Sequence, residues 1–205
     1  MLNIRETFSQ INELLKKLIE LGLSIDQNFP IQRQKPNDYS IISFPAADRI
    51  TISLKDYTYA EIYRGLIKER AYLIKMIDGA IIQIMYTYRA QQLEKHRLAF
   101  FPSPDLEEFQ NNPELYLIDE MYSDMIDKNI VPFPIRFDYN SDSEEHEQIY
   151  HPMSHLTLGQ YTRCRIPVTA PVTPIWFIDF ILRNFYNRAF EKYEDKLPKF
   201  FNSFD

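Results

Sequence analysis

The sequence predicts an α+β fold, in which a mainly antiparallel sheet packs against a buried, aromatic C-terminal helix and against N-terminal helices. The chain opens with an amphipathic helical pattern, several central segments alternate apolar and polar residues, and a long apolar run lies near the C-terminus. We expect one domain over residues 1–205, with an N-terminal helix at 3–22, a core sheet at about 39–168 and a core helix at 174–192.

The first helix is predicted from apolar residues that recur every three or four positions. They are Ile4, Phe8, Ile11, Leu15 and Leu18. Charged side chains lie largely opposite, and Gly22 supplies a C-terminal stop. We expect this helix to dock on the sheet of its own domain.

The segment after this helix is predicted to be irregular. Residues 23–38 contain Pro30 and Pro36 and are expected to form a loop. Short strands are expected at 39–44 and 50–54, and the second alternates cleanly, so one of its faces should be solvated.

A second helix is predicted at residues 58–72. Thr58 and Glu61 have the spacing of a capping box, in which each side chain bonds the backbone N–H of the other. Further along, helical turns are expected at 105–110, whereas 114–128 remains open between helix and irregular structure.

A β-hairpin is predicted around Asp78-Gly79, a dipeptide typical of two-residue turns. Its arms are 73–77 and 80–88, although the first arm could instead continue the preceding helix. A strand at 98–101 is expected to pair with the returning arm.

Three more strands are predicted towards the C-terminus. One covers 135–139, and an acidic, mobile loop at 140–147 follows it. Leu156 and Leu158 then alternate with polar residues, and after a bend at 159–160 an apolar set alternates with two arginines. We expect these last two strands to pair, with their apolar side chains inward and the arginines outward.

The C-terminal helix is predicted to begin at an N-cap, Thr173, followed by a proline in the first turn. Its side chains are apolar almost all round, which indicates burial on most sides. Asp179 and Arg183 are four residues apart within its polar stripe and are expected to form a buried, structural ion pair. Three phenylalanines in the tail, Phe200, Phe201 and Phe204, should dock back on the domain or on a partner.

Composition excludes several common functions. The chain has only four glycines, against an average usage of roughly 7%, and contains neither a dinucleotide-binding glycine motif nor a P-loop nor a G-x-S-x-G elbow. No cofactor is therefore expected.

The net charge of −6 argues against non-specific nucleic-acid binding. The single cysteine and the lack of a long apolar run predict a cytoplasmic protein without a membrane span.

The densest pattern begins at His151 and reads His-Pro-x-Ser-His-Leu-x-Leu-Gly. It continues with Cys-Arg-Ile-Pro-Val from Cys164 and with an aromatic helix that opens with Thr-Pro and ends with Phe-Tyr. This pattern resembles a family of uncharacterised bacterial proteins known as DUF2290, and the resemblance extends upstream through Asp78-Gly79. It implies a bacterial, cytosolic protein with an operon partner, and it supplies no catalytic residues.

His151 and His155 are the first candidates for chemistry. Four residues apart on a helix, they would share a face as zinc ligands do, but in an extended chain they lie roughly 13 Å apart. Further metal ligands would have to come from carboxylates, His96 or His146. The structural alternative is that one histidine bonds loop backbone and the other lies on a solvated face, and we predict no metal site.

An acid–base site is the other chemical hypothesis. His155, Thr157, Arg163 and Arg165 would share one face of the sheet if their strands pair, and Asp138 could orient the histidine. With His151, this set could bind an anionic group and transfer a proton. The structural alternative is an exposed face with cross-strand ion pairs.

Three functions are compatible with these sequence patterns. The first is a non-enzymatic cytosolic protein that acts through a protein partner or as a homo-oligomer, for example as an accessory subunit of a multi-gene defence system. The second is a ribonuclease-like or other phosphodiester-directed enzyme that uses His151, His155, Arg163 and Arg165, with Asp138. The third is a nucleic-acid binding module, which the net charge does not favour.

Overall fold

A computed structural model confirms the α+β fold: a nine-stranded antiparallel sheet with α-helices packed against it. The structure describes residues 2–49, 57–105, 111, 113–114, 133–142, 144, 146–147, 150–161, 164–199 and 203–204. Among these residues, no helix is both long and apolar enough to cross a membrane. The strand predicted at 50–54 and the helical segments predicted at 105–110 and 114–128 lie largely outside the described residues.

Four helices and nine strands make up the described fold. The helices are α1 (Ile4–Glu20), α2 (Tyr59–Lys68), α3 (Pro174–Phe185) and α4 (Asn187–Tyr193). The strands are β1 (Ser24–Gln27), β2 (Ile31–Lys35), β3 (Tyr39–Ser43), β4 (Ile74–Met76), β5 (Ile81–Arg89), β6 (Gln92–Phe101), β7 (Ile135–Asn140), β8 (Ser154–Leu158) and β9 (Arg165–Pro167).

The strand order along the sheet is β1-β4-β5-β6-β7-β8-β9. The C-terminal half of β5 also pairs with β3, which in turn pairs with β2. The long β5–β6 hairpin therefore forms the middle of the sheet, and β7, β8 and β9 extend it to one edge. Among the described candidate residues, Asp138, His155 and Arg165 lie on these last three strands, and His151 lies in the connection between β7 and β8.

Helix α1 docks on its own sheet, as predicted. Asn3 closes a capping box with Glu6, and Gly22, at φ 70°, follows the helix where a left-handed residue is needed. The apolar face is buried, and the Thr7 and Tyr88 hydroxyl groups share a 2.6 Å hydrogen bond between α1 and β5. The boundary predicted at 3–22 is therefore close to the observed one.

The loop predicted at residues 23–38 is wrong, because it contains strands β1 and β2. β2 is an edge strand with the sequence Ile-Gln-Arg-Gln-Lys, so it lacks the apolar alternation by which strands are recognised. It pairs with β3 through a tight turn in which Asn37 and Asp38 adopt φ near 60°. The sheet thus begins at residue 24 and not at about 39.

The hairpin at Asp78-Gly79 is observed as predicted, with β4 as the outgoing arm and β5 as the returning one. Gly79 adopts φ 88°, which favours glycine. Two tyrosines fix the turn: the Tyr186 hydroxyl donates to Asp78 Oδ1 over 2.7 Å, and the Tyr63 hydroxyl donates to Gly79 O over 2.5 Å. The turn therefore connects the sheet to both α2 and the C-terminal helices.

Two predicted helices are shorter than expected. The helix predicted at 58–72 ends at Lys68, because Arg70 adopts a left-handed conformation with φ 50° and directs the chain into β4. The core helix predicted at 174–192 is divided into α3 and α4 by Tyr186, which has φ −137° and ψ 51°. The capping residue Thr173 and the proline after it are where the sequence predicts them.

Helix α3 is buried on most sides, as predicted: only Trp176, Arg183 and Asn184 of its twelve residues are exposed. Phe177, Ile178, Ile181 and Leu182 are buried, whereas Trp176 is 57% exposed. The Arg183–Asp179 pair, at 2.6 Å, lies on the exposed face and not in the interior.

In the tail, Phe204 packs against Tyr86 as expected, while Phe200 and Phe201 lie outside the described residues.

Candidate functional site

Strand pairing brings most of the predicted site residues onto one face of the sheet. His155 lies directly opposite Asp138, and Thr157 lies opposite Arg136 on one side and Arg165 on the other. Because directly opposed residues of antiparallel strands point to the same face, the predicted shared face is observed. Arg163 lies outside the described residues.

The burial of this face differs from the prediction. His155 and Thr157 are only 5% and 9% exposed, although the sequence suggested a solvated face, and Ile166 is 47% exposed although it was expected to pack inward. Ile166 lies on β9, the last strand of the sheet, where less of the protein covers it. Residues from 41–48 and from the connection between β7 and β8 line a cavity together with the polar face.

This covered face contains a cavity of about 510 Å³. Its lining includes four histidines (His96, His146, His151 and His155), four cations (Lys95, Arg97, Arg136 and Arg165) and three carboxylates (Asp48, Asp138 and Asp142). Apolar side chains such as Ile41, Met85 and Met153 line the rest. A cavity of this size with a few convergent polar groups is typical of a small-ligand site.

The ring of His155 is held in one tautomer. Its Nδ1 lies 2.8 Å from the carbonyl oxygen of Pro152, and because a carbonyl only accepts hydrogen bonds, Nδ1 carries the proton. In the neutral ring Nε2 then carries the lone pair, and it lies 3.9 Å from Asp138 Oδ2. The bond to loop backbone is the one that the structural alternative anticipated, and it also leaves a basic nitrogen on the side of Asp138.

Burial keeps this ring neutral. Loss of solvent around His155 lowers its pKa below the usual value of a histidine, and the nearby Arg165 and His151 act in the same direction. The hydrogen bond to Pro152 and the Asp138 carboxylate oppose this shift without reversing it. At neutral pH the ring is therefore an unprotonated base whose conjugate acid a carboxylate can stabilise.

His151 lies beside His155, with 5.5 Å between the ring centroids. Its backbone forms a two-hydrogen-bond bridge with Glu147, which places these two residues side by side. Arg165 Nη1 donates to the carbonyl oxygen of Tyr150 over 3.1 Å and so ties this loop to β9. The roughly 13 Å separation of an extended chain is avoided, because the chain bends at Met153 before β8 begins at Ser154.

Asp138 holds two arginines at once. Its Oδ2 accepts from Arg136 Nε over 2.5 Å, and its Oδ1 accepts from Arg97 Nε over 3.2 Å. Each arginine contacts this carboxylate through Nε, and among the described residues its two Nη nitrogens remain as donors for a ligand. The carboxylate thus fixes two guanidinium groups next to His155.

Sequence reasoning missed Arg97 and Lys95, which β6 contributes to the cavity lining together with His96. The predicted strand began at Leu98, although the alternation continues upstream through both residues into β6. Extending that period-two pattern would have identified them.

Among the described residues, no group of three or more His, Cys, Asp and Glu side chains is placed to hold a metal ion.

The arrangement can bind an anion and move a proton. Arg97, Arg136 and Arg165 supply guanidinium donors, which suit phosphate and carboxylate groups. His155 supplies a base with a fixed tautomer, and His151 supplies a second imidazole within reach of the same ligand. These are the parts that metal-independent acid–base chemistry on an anionic centre requires.

The fold and the cavity define this chain as an α+β protein with a polar, histidine-containing pocket on one face of its sheet. It belongs to the family described as an uncharacterized conserved protein, DUF2290, whose model matches residues 23–205. The match leaves only α1 and the turn after it outside, so β1 to β9 and the cavity belong to the family region. Neither the curated proteins nor the solved structures contain a significant match.

Proposed function

We propose that this protein is an enzyme that acts on phosphodiesters, with His155 as general base and His151 as the second acid–base group. One observation carries the proposal: the neutral, tautomer-fixed His155 lies in a cavity lined by His151, Arg165 and the arginine pair on Asp138. A base beside fixed cations suits a reaction in which negative charge increases on the ligand.

The charge of the cavity favours an anionic ligand despite the net charge of −6. Four cationic side chains line it against three carboxylates. Of these carboxylates, Asp138 is engaged by Arg97 and Arg136, and Asp48 is paired with Arg33. The remaining positive charge is local, which is how an acidic protein can still bind phosphate.

Arg165→Met tests the anion-binding part of this proposal. We expect affinity for fluorescein-labelled, random-sequence RNA and DNA oligonucleotides, measured by fluorescence anisotropy, to fall about 10- to 100-fold, because a charged hydrogen bond is lost. Arg97→Met is a second variant whose more exposed side chain can be removed without disturbing the loop at Tyr150. Arg5→Met, on the exposed face of α1, is the matched control. Equal affinity in all four proteins, or no affinity in the wild type, would contradict the proposal.

A protein-binding accessory role is the second candidate. Trp176 is 57% exposed, and with Leu14, Ile175 and Phe190 it lines a groove of about 240 Å³ between α1 and the C-terminal helices. Tryptophan is enriched among the residues that dominate binding energy at protein interfaces. The occupant that suits this groove is a second protein that inserts an apolar side chain against the indole.

Trp176→Ala should abolish a stoichiometric complex in an affinity pull-down from the native host followed by mass spectrometry. Loss of a buried tryptophan contact typically weakens binding by 2 kcal/mol or more. Tyr57→Ala is the control, because Tyr57 is an aromatic residue of similar exposure, 52%, elsewhere on the surface. A complex that survives Trp176→Ala, or one lost equally with Tyr57→Ala, would exclude the groove as the docking site.

A further inference from the structure

We propose that the substrate is single-stranded RNA and that the nucleophile is the 2′-hydroxyl group of the RNA itself. This inference rests on the proposed phosphodiesterase function and names its substrate class. It follows from the kind of base that the cavity holds and from the groups that surround it.

The base is an imidazole with one accepting nitrogen. His155 Nδ1 is fixed on Pro152 O, so Nε2 alone can take a proton from a nucleophile. A hydroxyl group already attached next to the reacting phosphorus is held in place by the substrate. Well-oriented intramolecular groups of this kind reach effective molarities of about 10⁵–10⁸ M, so a single positioned base suffices to activate them. Of the nucleic acids, only RNA carries such a group.

The reaction balances with the groups that line the cavity. His155 Nε2 takes the proton of the 2′-hydroxyl while the 2′ oxygen forms a bond to phosphorus. The bond between phosphorus and the 5′ oxygen of the next nucleotide breaks, and His151, in its protonated form, gives its proton to that oxygen. The products are a 2′,3′-cyclic phosphate and a 5′-hydroxyl end, and no oxidant, reductant or added water is consumed.

The two rings are close enough to serve one phosphate. With 5.5 Å between the ring centroids, both imidazoles can contact different oxygens of the same tetrahedral group. The Nη donors of Arg97 and Arg136, held by Asp138, can bind the non-bridging oxygens, whose charge increases as the fifth bond forms. Asp138 lies 3.9 Å from Nε2, so it stabilises the imidazolium that proton abstraction creates.

An exposed aromatic residue lies next to His151 in the sequence. Tyr150 precedes His151, is 69% exposed and has its backbone held by Arg165. An exposed ring on an anchored backbone is a surface on which an unpaired base can stack, and such stacking is the common way in which single strands are bound. Bases in a duplex already stack on one another, so this feature favours a single strand.

The test compares a random-sequence RNA oligonucleotide with DNA of the same length and with DNA that carries one central ribonucleotide, all in the presence of EDTA. We expect cleavage of the RNA, cleavage of the chimaera only on the 3′ side of its ribonucleotide, and none of the DNA. Mass spectrometry should find a 5′-hydroxyl on every downstream fragment and a cyclic phosphate on upstream ones. Cleavage of the all-DNA strand, or a 5′-phosphate on the products, would overturn the RNA inference while leaving a phosphodiesterase in place.

If none of the three oligonucleotides is cleaved, the RNA inference fails, and the anisotropy measurements with Arg165→Met and Arg97→Met decide separately whether the cavity binds phosphodiesters at all.

The role of His151 has its own test. His151→Ala should lose about 10²- to 10⁴-fold in rate on RNA but little on a uridine 3′-(p-nitrophenyl phosphate), whose leaving group needs no proton. Equal losses on both substrates would remove His151 from the acid role.

Discussion

His155→Asn is expected to lower the rate of phosphodiester cleavage by about 10²- to 10⁴-fold, the usual contribution of a general base. Asparagine can place its amide nitrogen near the former Nδ1 position and keep a hydrogen bond to Pro152 O, but it has no basic nitrogen in place of Nε2. The fold of the loop should therefore survive while the base is lost. The measurement is kcat/KM on a phosphodiester substrate, with circular dichroism to verify folding.

Binding separates this outcome from simple damage to the cavity. Oligonucleotide affinity should change little in His155→Asn, because the arginines proposed to bind phosphate contact Asp138 and the Tyr150 backbone and not the imidazole. A rate that stays within a few-fold of the wild type would remove His155 as the base. A parallel loss of affinity and rate would instead indicate that the ring only shapes the cavity.

The pH profile gives a second readout of the same residue. Because burial lowers the pKa of His155, the acid limb of kcat/KM should lie below the usual pKa of histidine, roughly 6.5. Asp138 raises the pKa of His155, so Asp138→Asn should move that limb to still lower pH, and the two arginines released from the carboxylate act in the same direction. A limb that moves to higher pH in this variant would contradict the arrangement around Nε2.

Much of the fold follows from local patterns. The capping residues Asn3 and Thr58, the Asp78-Gly79 turn and the alternation in β5 each determine their structure within a few residues, and such signals can be read directly. β2 could not be found in this way, since an edge strand with few buried side chains needs no apolar pattern. The break at Tyr186 also has no local signal, because its cause is the hydroxyl contact with Asp78 and the packing against Phe100.

The site can be divided in the same way. Period-two alternation placed His155, Thr157 and Arg165 on one face, and pairing with β7 added Asp138. The cavity on that face is completed by residues of β3, which is distant in sequence from β7 and β8, and by the β7–β8 connection, which has no periodic pattern. The low exposure of His155, and therefore its lowered pKa, belongs to the tertiary structure and could not be predicted from the strand pattern.

Between pH 7 and pH 4 the wild-type protein is expected to lose about 3 kcal/mol of its free energy of unfolding through His96. The variant His96→Gln should lack this loss. His96 is 4% exposed, and its Nε2 accepts a hydrogen bond from Val172 N over 2.9 Å. Burial lowers the pKa of this histidine to about 4. In the unfolded chain the pKa is roughly 6.5, so as the pH falls the unfolded state binds the proton first and is stabilised relative to the folded state.

Glutamine can accept the Val172 hydrogen bond near the Nε2 position but does not titrate. The variant should be less stable than the wild type at pH 7, because it loses the ring packing against Tyr86 and Tyr139, and this deficit should shrink or reverse at pH 4. Urea denaturation at both pH values measures the free energy of unfolding of each protein. The contributions of His155 and of the carboxylates cancel when the two proteins are compared, because both proteins contain these groups. His146→Gln, the same substitution at an exposed histidine, is the matched control. If wild type and His96→Gln lose the same stability on acidification, then His96 is not the buried group that makes this fold sensitive to acid.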